Sequence, residues 1–133
     1  MTALHHIAMH CRDIKKQEAF YKKHFGFKRA RTFNAGTPDE FVMLRLGACC
    51  LELFQADRLA ARATKRQSLV GFTHLAFEID NLEAAIKRLH KDGIATDDMI
   101  DCSKLVPGLR ICFFNDPDGN RVELMNGWRD ETK

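Results

Sequence analysis

The chain has 133 residues, a net charge of +3 from 21 basic and 18 acidic residues, and five cysteines. A chain of this length forms a domain that buries roughly two-thirds of its unfolded surface, so it needs neither disulfides nor structural zinc. The odd cysteine count without CxxC spacing argues against both, and no arginine-aromatic interleaving or glycine-rich phosphate loop is present. Without an apolar run of signal-peptide or membrane-span length, we expect a cytoplasmic protein with neither nucleic-acid nor membrane partners.

The first part of the chain, about residues 3–56, predicts a β-α-β-β-β module. Apolar and polar residues alternate in four segments, which is the period of strands with one buried face. Asp13 is a candidate N-cap of the intervening helix, and Gly26 supplies a left-handed stop. The predicted strands are residues 4–11, 27–35, 41–46 and 48–55.

A connector follows at about residues 57–70, and its densest basic segment runs from Arg58 to Arg66. Charge runs usually keep a helix face solvated, so a solvated helical connector is the preferred interpretation, with anion binding as the alternative.

The second module, about residues 71–127, repeats the order of the first. A helix is predicted from the apolar spacing of Leu82, Ala85, Ile86 and Leu89, with Asp80-x-x-Glu83 as its capping box and Gly93 at its end. The predicted strands are residues 72–79, a short one at 94–97, 109–114 and 120–125.

Matching positions of the two modules carry the same polar residues. His74 follows His6 by 68 residues, and Glu123 follows Glu52 by 71 residues. Each histidine opens a first strand and each glutamate lies within a last strand, so an internal duplication explains the pattern best.

These four residues predict a metal site. A glutamate between apolar neighbours on a strand is costly to bury without a compensating partner. Two imidazoles and two carboxylates suit zinc, nickel, cobalt, iron(II) or manganese and leave positions for water. A Lewis acid of this kind stabilises an enediolate or enolate while a carboxylate moves the proton, which suits isomerisation beside a carbonyl group.

At these residues the sequence resembles the vicinal oxygen chelate superfamily, with glyoxalase I as the nearest arrangement. The resemblance covers essentially the whole chain. It implies an α+β fold of two βαβββ modules forming a cupped mixed sheet, a homodimer, a small-molecule substrate, and one divalent metal ion held by His6, Glu52, His74 and Glu123. It further implies that Glu123, and alternatively Glu52, is the catalytic base of a lyase or isomerase. The motifs are His6-Ile7-Ala8, Ala19-Phe20-Tyr21, Phe25-Gly26-Phe27, Leu51-Glu52-Leu53, Thr73-His74-Leu75-Ala76-Phe77, and residues 115–124.

The residues around the predicted site leave the substrate open. His10 and Ala56 stand where bacterial glyoxalase I enzymes carry the arginine and asparagine that grip glutathione, so another small carbonyl or thioester compound is expected. His10 and Glu78, each four residues after its histidine, are expected to contact the substrate or, alternatively, one another. Arg45 and Arg121 share the parity of the pocket face and are expected to bind a carboxylate or phosphate of the substrate, with a surface ion pair as the alternative.

Two other functions remain open. One is an epimerase or an antibiotic-directed thiol transferase of the same superfamily. The other is a non-catalytic binding protein like the bleomycin-resistance proteins, although those lack the metal ligands that this chain has.

Overall fold

The computed structural model describes residues 1–57 and 71–131. The chain divides into two compact units, Met1–Ser68 and Leu69–Lys133. Within the described residues, each unit has one helix and one four-stranded mixed sheet, so the predicted α+β class is confirmed. The basic segment predicted as a connector lies outside the described residues.

The first unit has the element order β-α-β-β-β. Its sheet order is β1-β4-β3-β2; β1 and β4 are parallel, and the other neighbours are antiparallel. The elements are β1 (His6–Cys11), α1 (Ile14–Phe25), β2 (Lys28–Phe33), β3 (Phe41–Leu46) and β4 (Cys49–Gln55).

The second unit repeats this topology. Its sheet order is β5-β8-β7-β6, again with a parallel first pair and antiparallel neighbours. The elements are β5 (Leu75–Glu78), α2 (Leu82–Lys91), β6 (Ile100–Asp101), β7 (Arg110–Asn115) and β8 (Arg121–Asn126).

Each helix packs on one face of the sheet of its own unit. Because strand side chains alternate, the apolar residues of β3, β4, β7 and β8 collect on that face and form the cores. We call the opposite side of each sheet its helix-free face, and the predicted site residues lie there. The buried strand residues of the cores are Val42, Leu44, Leu51, Leu53, Cys112, Phe114, Val122 and Leu124.

The predicted start and end of the first helix are confirmed, whereas the predicted start of the second helix is not. The Asp13 carboxylate accepts hydrogen bonds from the amides of Lys15 and Lys16, and Gly26 adopts the left-handed conformation with φ of 74°. The predicted cap at Asp80 is wrong, because the Asn81 side chain occupies the N-cap and accepts from Ala84. Two neighbouring Asx residues compete for that position, and the sequence does not rank them.

The short strand predicted at residues 94–97 is also wrong. Only an isolated bridge joins Thr96 to Phe114 there, and the edge strand is β6 at Ile100–Asp101. A strand of two residues at the sheet edge is too short to show the alternation of apolar and polar residues from which strands are predicted.

Among the described residues, no helix has the length and apolar character that a membrane crossing requires.

Candidate metal and substrate site

A histidine-glutamate pair lies on the helix-free face of the first sheet. His6 begins β1, and Glu52 lies in the middle of β4. The distance from His6 Nε2 to Glu52 Oε1 is 3.8 Å, and the Glu52 side chain is only 16% exposed. Leu51 and Leu53 on either side of Glu52 point into the core, so strand alternation directs the carboxylate to the opposite face.

The second sheet carries an equivalent but closer pair. His74 precedes β5 by one residue, and Glu123 lies in β8. The distance from His74 Nε2 to Glu123 Oε2 is 2.8 Å, and the Glu123 side chain is 13% exposed. Val122 and Leu124 are buried in the core. The sequence repeat therefore corresponds to a structural repeat, with one histidine-glutamate pair at the equivalent position of each unit.

The neighbour of each glutamate on the parallel strand is an alanine. Glu52 is in register with Ala8, and Glu123 is in register with Ala76. The histidine lies two residues before that alanine in both units and therefore on the same face. A residue this small beside the carboxylate adds little bulk to that face next to the pair.

The other ring nitrogen of each histidine also has a partner. The Nδ1 atom of His74 lies 2.8 Å from the Thr73 hydroxyl, and the Nδ1 atom of His6 lies 2.9 Å from Nδ1 of His5. Such contacts fix the orientation of the ring with Nε2 facing the glutamate, which is the role that outer partners have at metal-bound histidines.

The donor set of each pair fits a divalent ion. With metal bonds of about 2.0–2.2 Å to nitrogen and oxygen, two donor atoms on one ion lie between roughly 2.8 and 4.2 Å apart. Both measured separations, 2.8 and 3.8 Å, lie within these limits. Within residues 1–57 and 71–131, no group of three or more His, Cys, Asp or Glu side chains forms a metal cluster. Each unit therefore offers two donors, one nitrogen and one oxygen.

Arg121 is the charged residue beside Glu123 on the last strand of the second unit. It lies two residues before Glu123 on the same face, forms an ion pair with Asp97, and has its guanidinium carbon 4.8 Å from the centre of the Phe113 ring. Its side chain is 17% exposed, and its Nε atom is buried without a hydrogen-bond partner among the described residues. An orphaned buried donor of a charged group is costly unless a ligand satisfies it.

The three remaining predicted substrate residues lie at more exposed positions. His10 is on β1, with its ring 5.9 Å from that of Phe54. Glu78 ends β5 in register with Met125. Arg45 is exposed at the end of β3 and donates to the Gly47 carbonyl at 3.4 Å. His10 thus shares the face of the first pair, and Glu78 shares the face of the second.

Three residues that contact the candidate site residues were not predicted from the sequence. Asp97, the ion-pair partner of Arg121, was assigned to a strand that does not form, and Thr73 and His5 were not recognised as partners of the histidines. The adjacency of Thr73-His74 and of His5-His6 was the available signal, because an adjacent side chain can reach back to a ring nitrogen.

Two units of identical βαβββ topology, each with a histidine-glutamate pair on its helix-free face, define a vicinal oxygen chelate type of fold. The family model of the Glyoxalase/Bleomycin resistance protein/Dioxygenase superfamily matches residues 3–124. The chain belongs to this superfamily.

Related proteins span almost the full length of the chain. The uncharacterized protein YwkD of Bacillus subtilis is 33% identical over 126 residues, which cover 93% of this chain and 96% of YwkD. A glyoxalase family protein from Enterococcus faecalis is 31% identical, with a TM-score of 0.75 and coverage of 92% and 96%. Lactoylglutathione lyase from Agrobacterium tumefaciens is 24% identical, with a TM-score of 0.65 and coverage of 96% and 95%, and this likeness supports the fold alone.

Proposed function

We propose that this protein is a divalent-metal-dependent lyase or isomerase of the glyoxalase type that acts on a small carbonyl or thioester compound. The observation that supports it is the repeated pair, His6 with Glu52 and His74 with Glu123, at equivalent register positions. The pairing of a partly exposed histidine with a largely buried glutamate recurs in both units, which a chance contact does not explain.

In this proposal the two pairs together hold one ion per chain, either from the same chain or from two copies in a homodimer. A bound divalent cation supplies Lewis-acid polarisation of the substrate oxygens. The chain supplies two imidazole and two carboxylate donors, and the alanines beside the glutamates add little bulk next to the pairs. Zinc, nickel, cobalt, iron(II) and manganese all suit this donor set.

Proton transfer is assigned to Glu123. Its Oε2 atom takes the proton from the carbon beside the carbonyl group and returns it to the neighbouring carbon. The 2.8 Å contact with His74 supports this assignment, because it fixes the direction of the carboxylate. Glu52, at 3.8 Å from its histidine, is the alternative base.

Substrate anchoring is assigned to Arg121, with His10, Glu78 and Arg45 at the edges of the two faces. The guanidinium of Arg121, which is 17% exposed on the face of the second pair, supports a contact with an anionic or carbonyl oxygen of the substrate. Because its terminal nitrogen is already held by Asp97, the guanidinium is oriented before the substrate arrives, which lowers the entropy cost of binding.

Elemental analysis of protein purified without chelators tests the metal claim. We expect about one divalent ion per chain, and its loss on dialysis against EDTA. Protein that binds no divalent ion after reloading with each candidate metal contradicts the proposal and favours a metal-free binding protein.

Turnover separates an enzyme from a binder that retains its ion. The metal-loaded protein is assayed on hemithioacetals of methylglyoxal with glutathione and with a small thiol, by the ultraviolet absorbance of the thioester.

Glu123→Gln keeps an oxygen donor but cannot accept a proton, so we expect bound metal and at least a 100-fold loss of rate, the order of general-base contributions. Arg110→Met on the opposite face of the same sheet is the control and should keep the full rate. Bound metal without turnover of either hemithioacetal contradicts a methylglyoxal adduct as the substrate and leaves the metal claim standing.

A further inference from the structure

An aromatic row crosses the helix-free face of the first sheet, and we define it as His10, Phe54, Phe41 and Phe33. The four residues lie one per strand on β1, β4, β3 and β2. The rings of Phe33 and Phe41 are stacked with centres 4.5 Å apart, and those of Phe41 and Phe54 are stacked at the same distance. The guanidinium of Arg31 lies 5.9 Å from the centre of the Phe33 ring.

The aromatic row lies directly beside the first metal-ligand pair. His10 is in register with Phe54, just as Ala8 is in register with Glu52 two residues earlier. Two residues along a strand correspond to about 7 Å, so this is the distance along the strands from Glu52 to the aromatic row. The side chains at both positions project from the same face. A small compound with its oxygens at Glu52 therefore has its nearest substituent over the aromatic row.

The described strands of the second sheet have no such row at the matching positions. When Glu52 is matched to Glu123, the positions of Phe54 and Phe41 correspond to Met125 and Ile111, which are paired in β8 and β7. The position of His10 corresponds to Glu78, and that of Phe33 to Ile100, which pairs with Ile111. Because the same topology forms with aliphatic and acidic residues, the fold does not require aromatic rings at this level.

The three phenylalanine rings are half-buried and lie off the core. Stacked rings on a sheet face cover one another's flat sides and turn their edges to whatever lies above the sheet. Ring edges carry partial positive charge and ring faces carry partial negative charge, so a row of edges prefers the face of another aromatic ring to a saturated group of the same size.

We infer that the substrate carries a planar aromatic substituent beside its chelating oxygens and that this substituent lies on the aromatic row. This inference rests on the proposed metal-dependent function, since Glu52 fixes where the oxygens bind. It sets the substrate class as an aryl carbonyl or aryl thioester compound rather than a peptide thiol conjugate.

Binding of hydroxamates to the cobalt-loaded protein tests the inference. Benzohydroxamate and cyclohexanecarbohydroxamate chelate through the same two oxygens and differ only in whether the ring is aromatic. Titrations followed by the visible spectrum of cobalt give both dissociation constants. We expect benzohydroxamate to bind about 10-fold more tightly, the order that one or two aromatic contacts supply.

Two sets of variants test whether the aromatic row causes the preference for benzohydroxamate. Phe41→Leu with Phe54→Leu should bring the ratio of the two constants close to one while acetohydroxamate binds as before. Ile111→Leu, at the matching level of the second sheet, should leave the ratio unchanged. If the double variant unfolds, as judged by circular dichroism, Phe33→Leu at the sheet edge should lower the ratio partially.

The outcomes distinguish the two claims. A ratio near one in the parent protein, or a ratio that survives in the phenylalanine variants, overturns the aromatic substrate class while acetohydroxamate binding still supports the metal site. If no hydroxamate changes the cobalt spectrum, the proposed function fails and the inference fails with it.

Discussion

The two units share a topology and a histidine-glutamate pair but differ in what surrounds the pair. In the first unit the pair is looser, at 3.8 Å, and lies beside an aromatic row. In the second unit it is closer, at 2.8 Å, and lies beside the ion pair of Arg121 with Asp97. The level of the sheet that carries the histidine-glutamate pair is the same in both, and the flanking levels differ. The pair is therefore the common feature of the two units, whereas an aromatic row distinguishes the first and an ion pair distinguishes the second.

Removing one donor from either unit gives the largest expected effect. His6→Ala and His74→Ala should each weaken metal binding by more than the roughly 10- to 100-fold that loss of an outer-shell partner costs. Competition with a chromogenic chelator measures both constants. If only the second-unit variant lost the ion, the metal would belong to one unit and the proposal of a shared ion would be wrong.

The next largest expected difference between the two units is in the free energy of unfolding, and it concerns the ion pair between helix and sheet in each unit. In the first unit Arg29 donates to Glu18, whose side chain is only 8% exposed, and this hydrogen bond raises the pKa of Arg29. In the second unit Arg110 donates to Glu83, whose side chain is 58% exposed. Arg29→Met leaves a buried carboxylate without its main partner and should lower the free energy of unfolding by about 2 kcal/mol, less than for a fully buried pair because Arg29 itself is 40% exposed.

Arg110→Met is the matched variant, because both substitutions keep the aliphatic stem and remove the charge. It should change the urea midpoint much less, and added salt should shrink that change further, since an exposed pair is screened. Equal losses in the two units would show that burial of the carboxylate does not control the strength of these pairs.

The smallest expected effect concerns the thiol of Cys112, which is buried in the core of the second unit. Burial raises the pKa of the Cys112 thiol above its ordinary value of 9.0. The folded state therefore keeps this proton at a pH where the unfolded state has lost it. The stability from this group is complete below about pH 9 and is lost as the pH rises through the higher pKa of the folded protein, by at most about 1.4 kcal/mol per pH unit.

Val42 occupies the position of Cys112 in the first unit, as the register of Met43 with Glu52 and of Phe113 with Glu123 indicates. Cys112→Val should therefore reduce the decline of unfolding free energy between pH 8 and 11, measured in urea at each pH. An unchanged pH dependence in this variant, and in Cys112→Ala, would mean that other groups cause the decline.

Much of this architecture follows from local sequence. Alternation of apolar residues determined the faces of β1, β4 and β8, and so placed His6, Glu52 and Glu123 opposite the cores. The repeat at intervals of 68 to 71 residues determined that there are two similar units. These features are readable because alternation and capping depend on residues close together in the chain.

Contacts between distant segments were decided only by the tertiary structure. The sequence gives no register between strands, so it does not show that Ala8 faces Glu52 or that three phenylalanines form a row. Nor does it show that Asp97 holds Arg121, because the loop before β6 has no periodic pattern. Register depends on hydrogen bonds between strands far apart in sequence and on the bulges and turns that shift them. The sequence by itself therefore determined which residues share a face, and the fold decided which of them meet.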